Sequence, residues 1–441
     1  MSIAEAAALA GKATDGILAA LGTAERGVVV DSPPGAGKST LVVRASRVLA
    51  DAGERVMVLG QTNEQVDDLI ARLAGQREDL LIGRLCASAY VRSDRVTRPN
   101  VKLGTSVADL GDCAVVLSTA AKWATVTEAD AQVWPWAIVD EAYQMRSDLL
   151  LQVAGLFQRA LFVGDPGQLD PFSVVETERW TGLSWDPMNS AVSVMLAHNA
   201  DVVPVHTLPV SWRLPATAAP VVSQAFYPFT GFRSATGRGD RSLEWKTGAF
   251  GNSGVDLALE EAAATGWALF ELPARHTLRT DREAVAACAS LAARALRRGA
   301  VATAENGTQE LTADRIAIGT AHRDQAAAVR AALARRGVSG VVVDTANRLQ
   351  GREFELTIVL HPLSGRRDAT AFHLETGRLC VLASRHRQAC VVVARAGIPA
   401  LLDAHPSVEP VRLGVPVKFP DGWEAHQAIL AHLAKHRVTA D

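Results

Sequence analysis

Gly27-Val28-Val29-Val30-Asp31-Ser32-Pro33-Pro34-Gly35-Ala36-Gly37-Lys38-Ser39-Thr40 reads as a short buried strand, a Gly/Pro turn and the opening of a helix. That order is the context a phosphate-binding loop requires. Glycines let backbone N–H groups converge on phosphate oxygens, Lys38 can reach the β and γ positions, and the Ser39 hydroxyl suits Mg²⁺. Residues Ser32, Pro33, Pro34, Gly35, Ala36, Gly37, Lys38, Ser39 and Thr40 are therefore candidate nucleotide-binding residues. One position departs from the pattern G-x-x-x-x-G-K-S/T, since Ser32 stands where the first glycine is expected.

Working outward, small and apolar residues recur at helical spacing over 3–21, and apolar bursts appear at 56–59, 114–117, 137–139 and 161–163. A second set follows at 268–272, 316–318, 341–343, 356–360 and 389–393. Buried strands alternating with helical stretches predict parallel sheets of the α/β kind, in two units. The stretch 230–253, rich in Gly, Arg, Ser and Thr, reads as an exposed excursion in the second unit.

With 48% hydrophobic and 21% charged residues, the chain has the composition of a folded globular protein rather than a disordered one. A net charge of -2 argues against coating nucleic acid by bulk electrostatics, so any such contact must be local. Five scattered cysteines without a C-x-x-C pair suggest neither zinc nor a disulfide framework. No secretion signal or membrane-crossing run is apparent, and a cytoplasmic location is the default expectation.

Residues 137–141, Ala-Ile-Val-Asp-Glu, form an apolar run ending in two carboxylates. Behind a phosphate-binding loop, Asp140 is suited to hold Mg²⁺ directly or through water, and Glu141 to polarise the attacking water.

At this point the sequence resembles superfamily 1 helicases, in the B branch with the Upf-like enzymes. Asp140-Glu141-Ala142-Tyr143-Gln144 looks like their motif II, and Val163-Gly164-Asp165-Pro166-Gly167-Gln168-Leu169-Asp170-Pro171 like motif III. Leu208-Pro209-Val210-Ser211-Trp212-Arg213-Leu214-Pro215, followed by Phe226-Tyr227, is similar to the motif IV region. Residues 343–353 resemble motif V and residues 378–387 motif VI.

The resemblance implies two tandem RecA-like domains, each a mostly parallel sheet flanked by helices. The expected division is 1–205, with a small insertion at about 71–111, and 206–441, ending in a helix. It implies that Gln168 senses the γ-phosphate, that Arg213 and Arg385 act as arginine fingers, and that Gly351 and Glu353 contact nucleotide. Trp212 stands where the family carries a base-stacking aromatic, although a plain core tryptophan is the competing reading. The family's adenine-reading glutamine upstream of the loop has no counterpart before Gln61, leaving Thr14, Asp15 or stacking alone to hold the base.

For nucleic acid, Thr62 and Asn63 resemble motif Ia, Ser118 and Thr119 motif Ic, and Thr345 and Asn347 belong to motif V. Short polar side chains at strand ends can bond backbone phosphates, with ordinary helix caps as the alternative. Arg84, Arg92, Arg95, Arg98 and Lys102 in the insertion either grip a strand or form a solvated face. The implied activity is an ATP-dependent (or other NTP-dependent) helicase or translocase on single-stranded DNA or RNA, 5′ to 3′, with Mg²⁺. The rival is a nucleic-acid-gated NTPase switch without processive unwinding. Protein partners in a larger system are expected, and a membrane is not.

Overall fold

The computed structural model describes residues 1–127, 133–169, 171, 180, 186, 189–228, 230–249, 253–404 and 422–440. The first half forms one all-parallel sheet from β1 (Gly27–Asp31), β2 (Val56–Gly60), β3 (Ile82–Leu85), β4 (Val101–Gly104), β5 (Val115–Thr119), β6 (Trp134–Asp140), β7 (Phe157–Gly164) and β8 (Val205–Thr207). Their spatial order is β4-β3-β5-β2-β6-β7-β1-β8, which places the loop-bearing β1 beside β7, with β6 next beyond it. Successive residues face opposite sides, so Val28, Val30, Val56, Val58 and Ile138 join one apolar core while Val29, Met57, Leu59 and Val139 join another. Burial on both faces explains why these strands read as unbroken apolar runs.

After β8 the chain forms a short ribbon of β9 (Val210–Ser211) and β10 (Arg233–Ser234). Then β11 (Ser242–Trp245) pairs antiparallel with β13 (Ala300–Ala304), which also pairs with β14 (Gly307–Glu310). The second large sheet is again wholly parallel, in the order β16 (Val342–Thr345), β15 (Ile316–Thr320), β17 (Phe354–Leu360), β18 (His386–Arg395), β12 (Trp267–Leu272) and β19 (Arg437–Thr439). It too has two apolar faces, with Cys390 and Val392 in one core and Val391 and Val393 in the other. Helices pack against both sheets, among them Ile3–Thr23, Lys38–Asp51, Arg282–Arg298 and the C-terminal Gly422–Leu433. The fold is thus α/β, with mostly parallel sheets flanked by helices.

Three places differ in detail from the sequence reading. The segment 71–111 supplies β3 and β4, which extend the first sheet at its edge. β8 runs to Thr207, past residue 205, and pairs with β1. The stretch 230–253 is not simply exposed, because Ser234, Thr236 and Leu243 are buried and the Arg241 side chain is 2% exposed. Short strands with mixed burial carry little periodic signal, and for that reason β4, β8 and β19 escape notice in the sequence.

Candidate functional site

The first sheet ends its central strands on one edge, the customary place for ligands in open α/β folds. β1 delivers the phosphate-loop residues there, and Ser32 N continues the ladder to Gly164 O at 2.8 Å. Gly35 and Gly37 have φ of 72° and 94°, conformations that a side chain would strain. Helix Lys38–Asp51 starts at Gly37 with no side-chain cap, so its first amides stay available to an anion. Ser39 is half-buried and Thr40 exposed on its first turn.

β6 brings up Asp140 and Glu141, and the Glu141 carboxylate meets Lys38 Nζ at 3.0 Å. Burial alone would lower the Lys38 pKa, but Glu141, Asp165 and Asp140 around it hold the ammonium above its ordinary value. Asp140 is pushed well up, first by burial and then by the neighbouring Glu141. Glu141 is the single non-glycine residue with positive φ (53°) among the described residues. A carboxylate held in a strained left-handed conformation at a strand end is a mark of a working site. Gln144 Nε2 donates to its second oxygen at 3.1 Å.

The second half closes over this edge. Ser211 Oγ donates to Pro34 O at 2.6 Å and Trp212 N to Gly35 O at 2.9 Å, so the Trp212-Arg213 segment is clasped to the phosphate loop. A Cβ on Gly35 would collide with that of Arg213, which is why only glycine fits there. Arg213 and Arg385 are both buried. Arg385 is pushed down to about 10 by burial and by the like charge of Arg213. The Nη1 atoms of Arg213 and Arg385, Gln168 Oε1 and Ser32 Oγ are all buried without a hydrogen-bond partner among the described residues. The unmatched guanidinium nitrogens and the Ser32 hydroxyl can donate to an anion, whereas Gln168 Oε1 can only accept, as from a water.

A nucleoside triphosphate with Mg²⁺ fits these atoms. Asp140, Glu141 and Asp165 outnumber Lys38, the ammonium they surround, and that surplus of oxygen donors suits a hard cation. Among the described residues no set of three or more His, Cys, Asp or Glu side chains could hold a metal alone. Magnesium at nucleotide sites commonly needs only one or two carboxylates beside phosphate oxygens.

Several expected contacts take a different form. Glu353 Oε2 pairs with Arg213 Nε at 3.3 Å and Gly351 O lies 3.5 Å from Arg213 Nη2, so both residues hold the arginine. Trp212 is half-buried and packs on the cluster of Ala6, Val210 and Ala235, a partial core role. Thr14 Oγ1 donates to Ala10 O, and Asp15 pairs through one oxygen with Arg44. Arg241, which no motif flagged, donates to the backbone carbonyls of Trp212 and Arg213 and pairs with Glu305. Its only sequence signal is an arginine inside a Gly-rich stretch.

Each proposed nucleic-acid residue is near a strand's C-terminal end, and most are engaged locally. Thr62 caps helix Asn63–Gln76, Asn63 Oδ1 accepts from Arg84, Ser118 Oγ donates to Leu85 O, and Thr119 caps helix Ala120–Trp123. Thr345 is buried, and Asn347 Oδ1 accepts from Arg378 at 3.4 Å. Of the basic residues in 71–111, Arg84 is fully buried against Asp67 and Lys102 pairs with Asp112, whereas Arg92, Arg95 and Arg98 are exposed. Asp170 lies outside the described residues.

Comparison with known proteins gives two matches to family models, each described as an AAA domain, over residues 12–179 and 277–397. A mouse (Mus musculus) protein named DNA replication ATP-dependent helicase/nuclease DNA2 is 28% identical over 159 residues, covering 34% of this chain and 15% of that protein. Among solved structures, Arterivirus nonstructural protein 10 (helicase) aligns with 87% of this chain and 61% of its own, at 14% identity and a TM-score of 0.44. The PRRSV helicase aligns with 88% of this chain and 56% of its own, at 13% identity and the same TM-score of 0.44. The chain thus spans less than two thirds of each of these relatives. Among the described residues no helix is long and apolar enough to cross a membrane.

Proposed function

Taking the chain as a P-loop protein of the superfamily 1 helicase type, we propose that it hydrolyses ATP or another NTP and uses the cycle to move along single-stranded DNA or RNA. The carrying observation is the convergence of Lys38 and Glu141 from the first half with Arg213 and Arg385 from the second, each arginine with an unmatched buried nitrogen. The phosphate loop, residues 32–40, cradles the phosphates, and Lys38 exchanges its Glu141 partner for their oxygens. That exchange releases Glu141 to orient the attacking water. Ser39 and Asp140 would hold Mg²⁺, which when bound neutralises charge on the phosphates.

Gln168 reads the γ-phosphate, and Arg213, steadied by Gly351, Glu353 and Arg241, stabilises the transferring group together with Arg385. Trp212 offers its ring to the base. Closing and reopening of the cleft between the two sheets then shifts the grip of Thr62, Asn63, Ser118, Thr119, Thr345 and Asn347 on backbone phosphates. The 5′ to 3′ direction follows from resemblance to the B branch. The units assigned to this cycle are 1–205 and 206–441.

The test combines turnover with strand displacement. Lys38→Ala and Glu141→Gln should abolish hydrolysis, while Glu141→Gln still binds nucleotide. Wild-type turnover in Glu141→Gln would remove that residue from the mechanism. Hydrolysis without displacement on any tailed duplex would favour a nucleic-acid-gated switch.

A further inference from the structure

The loop that follows β7, Asp165 to Leu169, belongs in sequence to the first half but is held by the second. Tyr227, at the end of helix Ala219–Phe226, donates its phenol hydrogen to Asp165 Oδ1 at 2.6 Å. The same Oδ1 accepts from Gly167 N at 3.1 Å, while Oδ2 accepts from Gln168 Nε2. A Cβ on Gly167 would stand 2.5 Å from the Tyr227 ring, so the ring lies flush against this turn. Leu169 is buried in the second half's apolar core, and a Cβ on Gly377 would stand 2.5 Å from the Gln168 backbone. Cys380 Sγ, on helix Thr376–Ala383, sits 3.4 Å from the same phenol oxygen. One hydroxyl therefore joins the Asp165 turn to the helices that lead into Arg213's segment and into Arg385.

Asp165 also faces Lys38, whose ammonium it helps to hold charged. Its carboxylate is buried, and burial raises its pKa, opposed by Lys38, Tyr227 and Gln168. A buried carboxylate bonded to fewer donors than it needs will turn towards whichever remain. Gln168 Oε1, an acceptor with no partner among the described residues, is left to accept from a water at the phosphates while Nε2 stays on Asp165.

We propose that Tyr227 is a positioning residue that, through Asp165, sets the Gln168 amide with Oε1 towards the water beside the γ-phosphate and ties that setting to the second half of the chain. It acts by holding Asp165 Oδ1, touching neither nucleotide nor nucleic acid. This inference rests on reading the site as an NTP hydrolase and adds the residue by which closure of the cleft reaches Gln168.

The experiment compares wild type, Tyr227→Phe, Asp165→Ala and the double variant. Loss of one hydrogen bond to a charged group predicts a fall in kcat of about 10-fold to 100-fold in Tyr227→Phe, with the NTP KM changed less than about twofold. Because the hydroxyl works through Asp165, adding Tyr227→Phe to Asp165→Ala should cost little more. A Tyr227→Phe kcat within about twofold of wild type, or a second full loss in the Asp165→Ala background, would overturn the proposal.

Hydrogen exchange of the amides of Asp165, Gly167 and Gln168 gives a readout without turnover, and Tyr227→Phe should exchange there at least about tenfold faster while distant strands stay protected. A wild-type protein that hydrolyses no NTP would end the functional reading alone. Unchanged exchange at 165–168 would end the Tyr227 inference alone. Should Tyr227→Phe not fold, Asp165→Ala removes the same bond from the other side, and unchanged kcat and exchange in that variant would refute the role.

Discussion

Arg385→Met separates an arginine kept for chemistry from one kept for structure. The guanidinium is 1% exposed, donates through Nε to Val381 O at 3.1 Å and through Nη2 to Ser384 Oγ at 2.8 Å, and has Nη1 unmatched. Its pKa, depressed to about 10, means that keeping it charged at neutral pH costs the nucleotide-free protein roughly 3 kcal/mol, at about 1.4 kcal/mol per pKa unit. Methionine retains much of the buried stem and removes that cost, but takes one donor from the Val381 carbonyl, which keeps the Ser384 amide, and one from the Ser384 hydroxyl, a loss of about 1–3 kcal/mol.

The two contributions nearly cancel, so the variant should melt within about 5 °C of wild type, at roughly 2–4 °C per kcal/mol for a unit of this size. Turnover should behave differently, falling about 10³-fold in single-turnover hydrolysis with saturating single-stranded nucleic acid, as loss of a finger does elsewhere. A structural ion-pairing arginine would instead cost about 3–5 kcal/mol and some 10 °C. Near-normal turnover, or loss of activity that merely follows a large drop in Tm, would refute the assignment.

Trp212→Ala should raise the nucleotide KM more than it lowers kcat, and ATP should be only weakly preferred over GTP in the wild type; strong preference surviving in the variant, measured by competition kinetics, would place base reading elsewhere. Asp281 tests pH dependence in the second sheet's support. Burial would raise its carboxyl, but Arg395 and the amides of Ala284 and Glu283 hold it below its ordinary value. A depressed folded pKa gives stability that is complete above the unfolded value of about 4 and is lost as pH falls through the folded one. Asp281→Asn keeps a helix cap yet breaks the pair with buried Arg395, so it should cost about 3 kcal/mol at pH 7, and less at about pH 3, by urea unfolding.

Much of this molecule can be read directly from its residues, and the exceptions share a cause. The runs at 28–30, 137–139 and 391–393 announce buried parallel strands because both faces are covered. Lys38 and Glu141 stand out by type and order, and the structure brings them to 3.0 Å. What sequence spacing cannot express is the path of loops. Nothing in the letters shows that Glu141 adopts a positive φ, or that Glu353 and Gly351, some 140 positions on, serve Arg213. Arg241 is hidden for the same reason, its guanidinium turned inward from a stretch of exposed composition. Thr62 and Thr119 show the opposite, since a capping hydroxyl and a phosphate-gripping hydroxyl share one sequence signature.

The clasp of Ser211 and Trp212 on the carbonyls of Pro34 and Gly35 has a mechanical meaning. Where the chain leaves the first sheet it is pinned to the phosphate loop, so in the cycle proposed above that point would serve as the fulcrum for any opening of the cleft. Arg213, one residue beyond the pin, would then keep its place at the phosphates while the rest of the second half turned about it.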